Sequence, residues 1–305
     1  MQSGKKKSVA FRIVSALALC FSLLAAGQLS LHAAAQGLPV KRIQFSGNRP
    51  FTLFTPQKLP AKEALPLVLL LHGFTSSGPE ILKYTGLTGL VNSRKYLLVA
   101  PNGSKTPTGT QFWNATPACC DFYFQKSDDA QFLTTVIGKV SKKVAVDRKR
   151  IYIIGHSNGG AMAHRMACEH SNLIAGIVSL AGPTFDKRSE CQPKLPVSVL
   201  QIWGTSDEVL NYKGGKLFDV PYPGAQKSAQ NWATINQCKR GPNHLATTKD
   251  YFPGVKGAET QITSYSQCSK TTNVTLWTGK GMSHVPELSS KTMKVVLSEL
   301  FSHHR

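Results

Sequence analysis

The sequence predicts an α/β protein with a doubly wound, mostly parallel sheet and helices on both faces. Short apolar runs alternate along the chain with segments of helical periodicity, as is typical of α/β folds. The runs are continuously apolar, as in strands that helices cover on both sides. They occur at residues 67–71, 96–100, 151–154, 177–180, 197–202 and 274–277.

Four segments between or after these runs have helical periodicity. They are residues 128–143, 159–170, 227–236 and 288–302, and the last places Val296, Leu297 and Leu300 close to one stripe. Residues 42–54 are predicted to form a leading antiparallel hairpin. Because no repeat, low-complexity tract or long linker interrupts residues 36–305, we expect a single domain there.

The first 35 residues have the pattern of a secretory signal peptide. Lys5, Lys6 and Lys7 precede an apolar run at about residues 13–26, and three alanines end at Ala35. The apolar run is shorter than the roughly 20 residues that span a bilayer, which favours cleavage over a stable membrane anchor. We therefore expect a secreted protein, extracellular or periplasmic.

The composition excludes several classes of protein. With 41% hydrophobic and 17% charged residues, the chain is neither disordered nor built of repeated membrane spans. Its net charge is +20, but four cations lie in residues 1–35, which leaves 32 basic against 16 acidic residues and a charge of +16. The lysines are spread from Lys58 to Lys294. This spread predicts non-specific adsorption to anionic surfaces and no nucleic-acid partner.

Six cysteines follow the predicted signal peptide, and an even number in a secreted chain indicates disulfides. A ring across the single peptide bond between Cys119 and Cys120 would be strained, so we expect these two to bond different partners. Cys238 and Cys268 would then pair; free buried thiols are the alternative. No spacing typical of a metal site occurs. The six are Cys119, Cys120, Cys168, Cys191, Cys238 and Cys268.

A candidate nucleophile lies directly after the predicted strand 151–154. The segment Gly155-His156-Ser157-Asn158-Gly159 follows this strand and opens a predicted helix, as a G-x-S-x-G nucleophile turn requires. Ser157 must lie on a tight turn with its hydroxyl exposed. Side chains at Gly155 and Gly159 would collide with neighbouring backbone there.

An acid and a base follow Ser157 in the order that this motif requires. Asp207 follows the strand 197–202 after a Gly-Thr-Ser turn, and adjacent Glu208 is the rival acid. His284 follows the strand 274–277 in a Gly-rich loop. We therefore predict Ser157 as nucleophile, His284 as base and Asp207 as the acid that orients the imidazole.

Backbone N–H groups are predicted to bind the oxyanion. We assign them to Asn158, after the nucleophile, and to Phe74, in the loop after strand 67–71, with Thr75 as the alternative to Phe74. This Gly-rich loop continues with Pro79-Glu80 in place of the Lys and Ser/Thr of a phosphate-binding loop. No nucleotide, metal or organic cofactor is therefore expected.

Together these motifs resemble the secreted polyhydroxybutyrate depolymerase/feruloyl esterase-like family of α/β-hydrolases. The resemblance implies the α/β-hydrolase fold, the triad Ser157, Asp207 and His284, and an ester-binding cleft around Phe74 and Trp113. It covers roughly residues 66–286. The matching stretches are 69–78, 101–103, Cys119-Cys120, Asp128-Asp129, 155–160, 204–207 and 281–284.

The chain departs from the family's pattern directly after His284, the predicted general base. The family often has Gly-His-x-Trp-Pro, whereas here His284 is followed by Val285 and Pro286, so the histidine and proline remain and the tryptophan is replaced. His156 and Trp203 join Trp113 as candidate substrate contacts, with buried packing the alternative for the tryptophans.

Asp128 and Asp129, at the start of the helix 128–143, are interpreted as helix-capping rather than catalytic residues.

The resemblance implies a secreted serine carboxylic ester hydrolase that acts on feruloyl or acetyl esters of plant polysaccharide. A depolymerase of polyhydroxybutyrate, a short-chain polyester, is the alternative. A serine peptidase would use the same residues, and a non-catalytic binding protein would keep the fold alone. The partner expected in each enzymatic case is the substrate.

Overall fold

The computed structural model describes residues 40–59 and 63–305. The predicted signal peptide lies outside these residues. Ten strands form one sheet in the order β1-β2-β4-β3-β7-β8-β9-β14-β13-β12. They are β1 Lys41–Phe45, β2 Phe51–Thr55, β3 Leu65–Leu71, β4 Leu97–Val99, β7 Val146–His156, β8 Gly176–Leu180, β9 Ser198–Gly204, β12 Arg240–His244, β13 Thr260–Ser266 and β14 Val274–Gly279.

Two short antiparallel pairs lie apart from this sheet. They are β5 Ser104–Lys105 with β6 Gln111–Phe112, and β10 Gly214–Leu217 with β11 Val220–Pro223. The second pair is a hairpin inserted after β9.

The centre of the large sheet is parallel. Strands β4, β3, β7, β8, β9 and β14 are hydrogen-bonded in parallel register, and they contain the six apolar runs that predicted strands. All seven residues of β3 are buried, because helices cover both faces. The predicted α/β class with a mostly parallel sheet is confirmed.

Antiparallel strands form both edges of the open sheet. On one edge β1 pairs with β2 and β2 with β4, so the predicted leading hairpin is confirmed. On the other edge β13 pairs with β14 and β12 with β13, and the sequence pattern missed both strands. Every residue of β12 is exposed, so β12 carries no apolar alternation that would predict a strand.

Six α-helices pack against the large sheet within the described residues. Alternate residues of β3 divide between two separate cores: Leu67, Leu69 and Leu71 belong to one, and Val68 and Leu70 to the other. Helices α3, α4 and α5 pack on the first core, and α1, α2 and α6 pack on the second. The helices are α1 Gly78–Thr85, α2 Val91–Arg94, α3 Asp129–Lys143, α4 Asn158–Glu169, α5 Ala225–Ile235 and α6 Ser290–Phe301.

The two aspartates at the start of α3 have different roles. Asp128 caps the helix by accepting the Gln131 N–H at 3.0 Å, as predicted. Asp129 is fully buried and instead binds the Arg49 guanidinium at 2.7 Å, the Ser104 hydroxyl at 2.9 Å and the Asn114 N–H at 2.8 Å. Its carboxylate therefore joins three separate segments of the chain. Asp129 lies in the first turn of the helix, where its charge favours the helix dipole, but it does not make the predicted capping bond.

The predicted reactive side chains lie at the carboxyl ends of the parallel strands. Ser157 directly follows β7, Asp207 follows β9 by three residues, and His284 lies five residues beyond β14. Because the carboxyl ends of parallel strands meet at one edge, these three residues are brought together from separate parts of the chain. No helix among the described residues is long and apolar enough to cross a membrane.

Candidate active site

Ser157 lies on a sharp turn between β7 and α4. Its backbone has φ 54° and ψ −119°, a conformation that side-chain-bearing residues rarely adopt. A Cβ at Gly155 would lie 2.0 Å from the Gly159 oxygen, and one at Gly159 would lie 2.3 Å from the Leu71 oxygen. The predicted collisions at both glycines are confirmed. The turn therefore needs glycine on both sides of the serine.

A chain of hydrogen bonds joins the three predicted side chains. The Ser157 hydroxyl lies 2.9 Å from His284 Nε2, and His284 Nδ1 lies 2.8 Å from Asp207 Oδ2. His284 is fully buried, and Ser157 and Asp207 are each 7% exposed. In this geometry the imidazole accepts the serine proton at one nitrogen while the carboxylate fixes the other nitrogen as N–H.

Backbone groups hold the Asp207 carboxylate in place. Its Oδ1 accepts the N–H groups of Val209 at 2.9 Å and Leu210 at 2.7 Å, which leaves Oδ2 for His284. The rival acid Glu208 accepts the backbone N–H of His284 at 3.3 Å through Oε2. The structure therefore places Asp207, and not Glu208, on the imidazole.

His156 contacts the backbone of the predicted base, His284. Its Nε2–H donates to the His284 carbonyl at 2.9 Å, and the two imidazole rings lie 5.1 Å apart. Burial, and after it the neighbouring His284, lower the pKa of His156 to about 3. A neutral His156 fits this contact. His156, which was predicted to contact the substrate, thus lies where it can position His284 through the His284 backbone carbonyl.

Two backbone N–H groups next to Ser157 can receive an oxyanion. A Cβ at Gly73 would lie 3.4 Å from the Ser157 Cβ, so the loop carrying Phe74 lies directly against the nucleophile. Asn158 is the first residue of α4, where a helix leaves the backbone N–H without an acceptor inside the helix. The Phe74 N–H donates to no backbone oxygen of the described loops and turns. The Thr75 N–H donates to the Gln111 oxygen at 3.0 Å, which excludes the predicted alternative.

One segment of the chain holds both sides of this oxyanion site. The Asn158 side chain accepts the Trp113 N–H at 2.7 Å and donates to the Trp113 oxygen at 2.8 Å. The Trp113 indole N–H donates to the His72 oxygen at 3.0 Å, and the Gln111 oxygen accepts from Thr75. We call residues 111–113 the clamp segment, because it fixes the loop before Phe74 and the residue after Ser157 together.

His72 fixes the same loop from its other side. Its Nδ1–H donates to the Gly73 oxygen at 2.7 Å, and its Nε2 accepts the Gly103 N–H at 2.9 Å. This pattern requires a neutral ring. Burial lowers the pKa of His72 to about 4, which keeps the ring neutral near pH 7.

A second buried polar network supports the segment after β8. His164 accepts the Trp232 indole N–H at Nδ1 and donates from Nε2 to Gln201 Oε1 at 2.9 Å. The Gln201 amide donates to the oxygens of Ser179 and Gly182. A Cβ at Gly182 would lie 2.5 Å from the Ser157 oxygen, so the network reaches the turn. Burial lowers the pKa of His164 to about 4.

The prediction that Trp113 and Trp203 contact the substrate is wrong for both indole rings. Trp113 and Trp203 are both 0% exposed and belong to the core, and Trp203 donates its indole N–H to the Leu210 oxygen at 2.9 Å. Neither ring offers a face to a ligand. The sequence pattern could not separate a buried tryptophan from an exposed one. Val285, where the family often has tryptophan, is 40% exposed beside His284.

The six cysteines form three disulfides, and one of these pairs differs from the prediction. Cys119 and Cys120 bond each other, with their Cα atoms 3.0 Å apart. The expectation that these two cysteines bond different partners was wrong. Cys168 pairs with Cys191, and Cys238 pairs with Cys268 as expected. Cys119 Sγ accepts from the Asn158 amide at 3.4 Å, so the first disulfide touches the oxyanion site.

The described residues contain no group of three or more His, Cys, Asp or Glu side chains placed to hold a metal ion. The polar atoms of the site are instead paired with one another or with backbone. The chemistry that this arrangement supports is nucleophilic attack by a serine, with proton transfer through an imidazole.

Comparison with known proteins gives the same picture at the level of sequence. Residues 58–232 match the family described as phospholipase/carboxylesterase. Feruloyl esterase B of Piromyces equi is 28% identical over 241 residues, which cover 75% of this chain and 41% of that protein. A bifunctional acetylxylan esterase/xylanase of Neocallimastix patriciarum is 26% identical over 246 residues, 81% of this chain and 32% of that protein. The chain thus spans less than half the length of these curated relatives.

A solved structure extends the comparison to the fold. An acetyl xylan esterase from Aspergillus awamori superimposes with a TM-score of 0.60 over 86% of this chain and 99% of that chain, at 12% sequence identity. At that identity the likeness concerns the fold alone. Together with the order of strands in the sheet, it confirms the predicted α/β-hydrolase fold.

Proposed function

The chain belongs to the phospholipase/carboxylesterase family, and on this premise we propose that it hydrolyses carboxylic esters with Ser157 as the nucleophile. The observation that carries the proposal is the continuous path of hydrogen bonds from Asp207 through His284 to the Ser157 hydroxyl. A serine hydroxyl needs such a base, because it is a weak nucleophile while it keeps its proton.

The first half of the reaction acylates the enzyme. His284 Nε2 takes the Ser157 proton as Oγ attacks the ester carbonyl carbon, and the carbonyl π electrons move onto oxygen. The N–H groups of Phe74 and Asn158 stabilise this oxyanion, a contribution of about 3 kcal/mol for each donor in comparable sites. When the intermediate collapses, the ester C–O bond breaks and the imidazolium gives its proton to the departing alkoxide.

The second half releases the acid. Water loses a proton to His284 Nε2 while its oxygen attacks the acyl carbon, and a second oxyanion forms between the same two N–H groups. The bond to Ser157 Oγ then breaks, and Oγ recovers its proton from the imidazolium. Asp207 keeps the imidazole in one tautomer and stabilises its charged form in both halves.

The substrates we propose are feruloyl or acetyl esters carried by plant polysaccharide. The support is the similarity to a feruloyl esterase and to an acetylxylan esterase/xylanase, together with the motifs around Ser157, Asp207 and His284. A polyester of short hydroxy acids is the alternative, since its ester bond would meet the same groups. A serine peptidase would also use these residues, so activity on esters and amides has to be compared directly.

We further propose that the protein acts outside the cell. Three disulfides within the described residues support this, because such bonds persist in oxidising compartments. The excess of basic residues would favour adsorption to anionic polymers or surfaces without a dedicated site.

The decisive test is hydrolysis of p-nitrophenyl acetate by purified protein and by the Ser157→Ala variant. We expect kcat to fall by about 10⁶ in the variant, since the nucleophile is removed. Ser206→Ala is the matched control, because Ser206 is an exposed serine beside Asp207. Unchanged turnover in Ser157→Ala would refute the proposed mechanism.

The same preparation should identify the class of substrate. A fluorophosphonate probe should label Ser157, as peptide mass spectrometry can show, and its failure to do so would favour a non-catalytic binding protein. A panel of methyl ferulate, acetylated xylan, polyhydroxybutyrate film and a peptide anilide then separates esterase, depolymerase and peptidase.

A further inference from the structure

A cluster of apolar side chains lies directly against the two residues that carry the oxyanion donors. Edge-to-face ring contacts run from Phe74 to Phe122, 5.4 Å between centroids, and from Phe122 to Phe218, 4.7 Å. Phe218 is 37% exposed, so this row leads from the oxyanion loop to solvent. We call the cluster the aromatic wall; its members are Phe74, Phe112, Phe122, Phe218 and the disulfide-bonded Cys119 and Cys120.

The backbone at Phe218 is unusual for a large side chain. Leu217 pairs with Val220 in the β10–β11 hairpin, so Phe218 and Asp219 form its two-residue turn, with φ of 47° and 68°. Such turns favour Asn-Gly, because both central residues need positive φ. A bulky residue in this conformation is an outlier, and such outliers concentrate at functional sites. The hairpin tip thus holds a phenyl ring beside Phe122 at a conformational cost.

The position of the wall identifies which part of an ester it can contact. The departing oxygen must reach His284 Nε2, which faces Ser157 Oγ, whereas Asp207 contacts the other ring nitrogen of His284. The wall instead includes Phe74 and touches Asn158 through Cys119 Sγ. The alcohol part of the ester therefore lies on the His284 side of the serine. The acyl part, attached on the other side of the carbonyl carbon, points to the wall.

We propose that the aromatic wall is the acyl subsite and that Phe122 and Phe218 select planar aromatic acyl groups over acetyl. The inference rests on the proposed ester hydrolysis. An aromatic acid with a short spacer between ring and carboxyl places its ring against Phe122 and Phe218, where offset and edge-to-face contacts are favourable. An acetyl group ends at a single methyl beyond the carbonyl carbon and gains nothing from the hairpin tip.

The test compares methyl cinnamate with methyl acetate, which share one leaving group. In Phe218→Asn the ring is lost but the new residue suits positive φ, so the hairpin should keep or gain stability. We expect the ratio of kcat/KM for cinnamate to that for acetate to fall about tenfold, the loss expected for one well-placed aromatic contact and its buried area. Phe122→Leu should lower the ratio in the same direction.

Phe124→Ala is the matched control, because Phe124 belongs to the same loop as Phe122 but is 83% exposed and outside the wall. Its ratio should equal that of the wild type. An unchanged ratio in Phe218→Asn, with melting temperature at or above that of the wild type, would overturn the assignment of the subsite. Absence of turnover of both esters by the wild type would instead refute the ester hydrolysis itself, and the subsite with it.

Discussion

The catalytic side chains and the aromatic wall lie side by side but are built differently. Ser157, His284 and Asp207 are buried and held by hydrogen bonds to one another and to backbone N–H groups. The outer members of the wall, Phe122 and Phe218, instead contact each other through their rings and lie in a loop and at a hairpin tip outside the large sheet.

Because of this difference, we expect the rate of reaction and the choice of acyl group to depend on separate residues. The reacting atoms are fixed by strand ends and tight turns, so almost any change there misplaces a proton or an oxyanion donor. The wall depends on the size and shape of a few rings, so we expect a change there to alter which acyl group is preferred. The predictions below test whether the two regions can be disturbed separately.

The largest effect is expected at Asp207. Asp207→Asn should lower kcat about 10⁴-fold while the fold is kept, because the amide cannot hold the imidazole in the tautomer that accepts the serine proton. Steady-state kinetics with p-nitrophenyl acetate measures this loss. Glu208→Gln is the matched control and should stay within about fivefold, since Glu208 accepts a backbone N–H only. A larger loss in Glu208→Gln than in Asp207→Asn would reverse the assignment of the acid.

A smaller effect is expected at Asn158. Its side chain makes no contact with the reacting atoms but binds the Trp113 backbone at both ends. Asn158→Ala should lower kcat about 10²-fold by loosening one oxyanion donor, with the change in KM much smaller. A variant that weakened substrate binding and left kcat intact would show that Asn158 does not position the oxyanion site. Circular dichroism distinguishes this loss from unfolding.

Acid should destabilise the catalytic region and leave the wall's preference unchanged. His72, His156 and His164 have folded-state pKa values lowered to about 4, 3 and 4, below the value near 6.5 of an unfolded chain. Between these values the unfolded chain binds more protons, so stability is complete above pH 6.5 and falls as pH is lowered toward 4. Each histidine should contribute about 2 kcal/mol to the loss between pH 6.5 and 5.

Urea denaturation of the wild type and His164→Gln at pH 7 and 5 measures this dependence. Glutamine can both accept and donate a hydrogen bond but does not titrate, so the variant should lose less stability on acidification. Equal slopes in both proteins would contradict the assignment of a neutral buried His164. The ratio of cinnamate to acetate turnover should stay constant over the range in which the protein is folded, because the wall contains no titrating group.

Much of the centre of the molecule is predictable from sequence, because single strong constraints act there. The strands covered on both faces are continuously apolar, and the turn around Ser157 requires Gly155 and Gly159 for steric reasons. The meeting of Ser157, Asp207 and His284 follows from parallel strands whose carboxyl ends lie at one edge of the sheet. These constraints depend on residue type, and residue type is what a sequence records.

The features that sequence reasoning missed depend on backbone geometry or on exposed residues. The Cys119–Cys120 bond joins two sequence neighbours, a pairing that we expected ring strain to exclude. Trp113 binds the Asn158 side chain through its peptide N–H and C=O groups, which do not depend on the type of side chain. The turn at Phe218 lacks the glycine and asparagine that mark most two-residue hairpins, and β12 is polar throughout.

The clamp segment has a consequence for how this protein can evolve. Residues 111–113 hold the loop before Phe74 with one set of bonds and the Asn158 side chain with another. A mutation in this segment is therefore felt by both halves of the oxyanion site at once, and its effect should depend strongly on the residues present in each half. Lineages should therefore diverge first in the hairpin tip and the loop around Phe122, which lie outside the clamp segment.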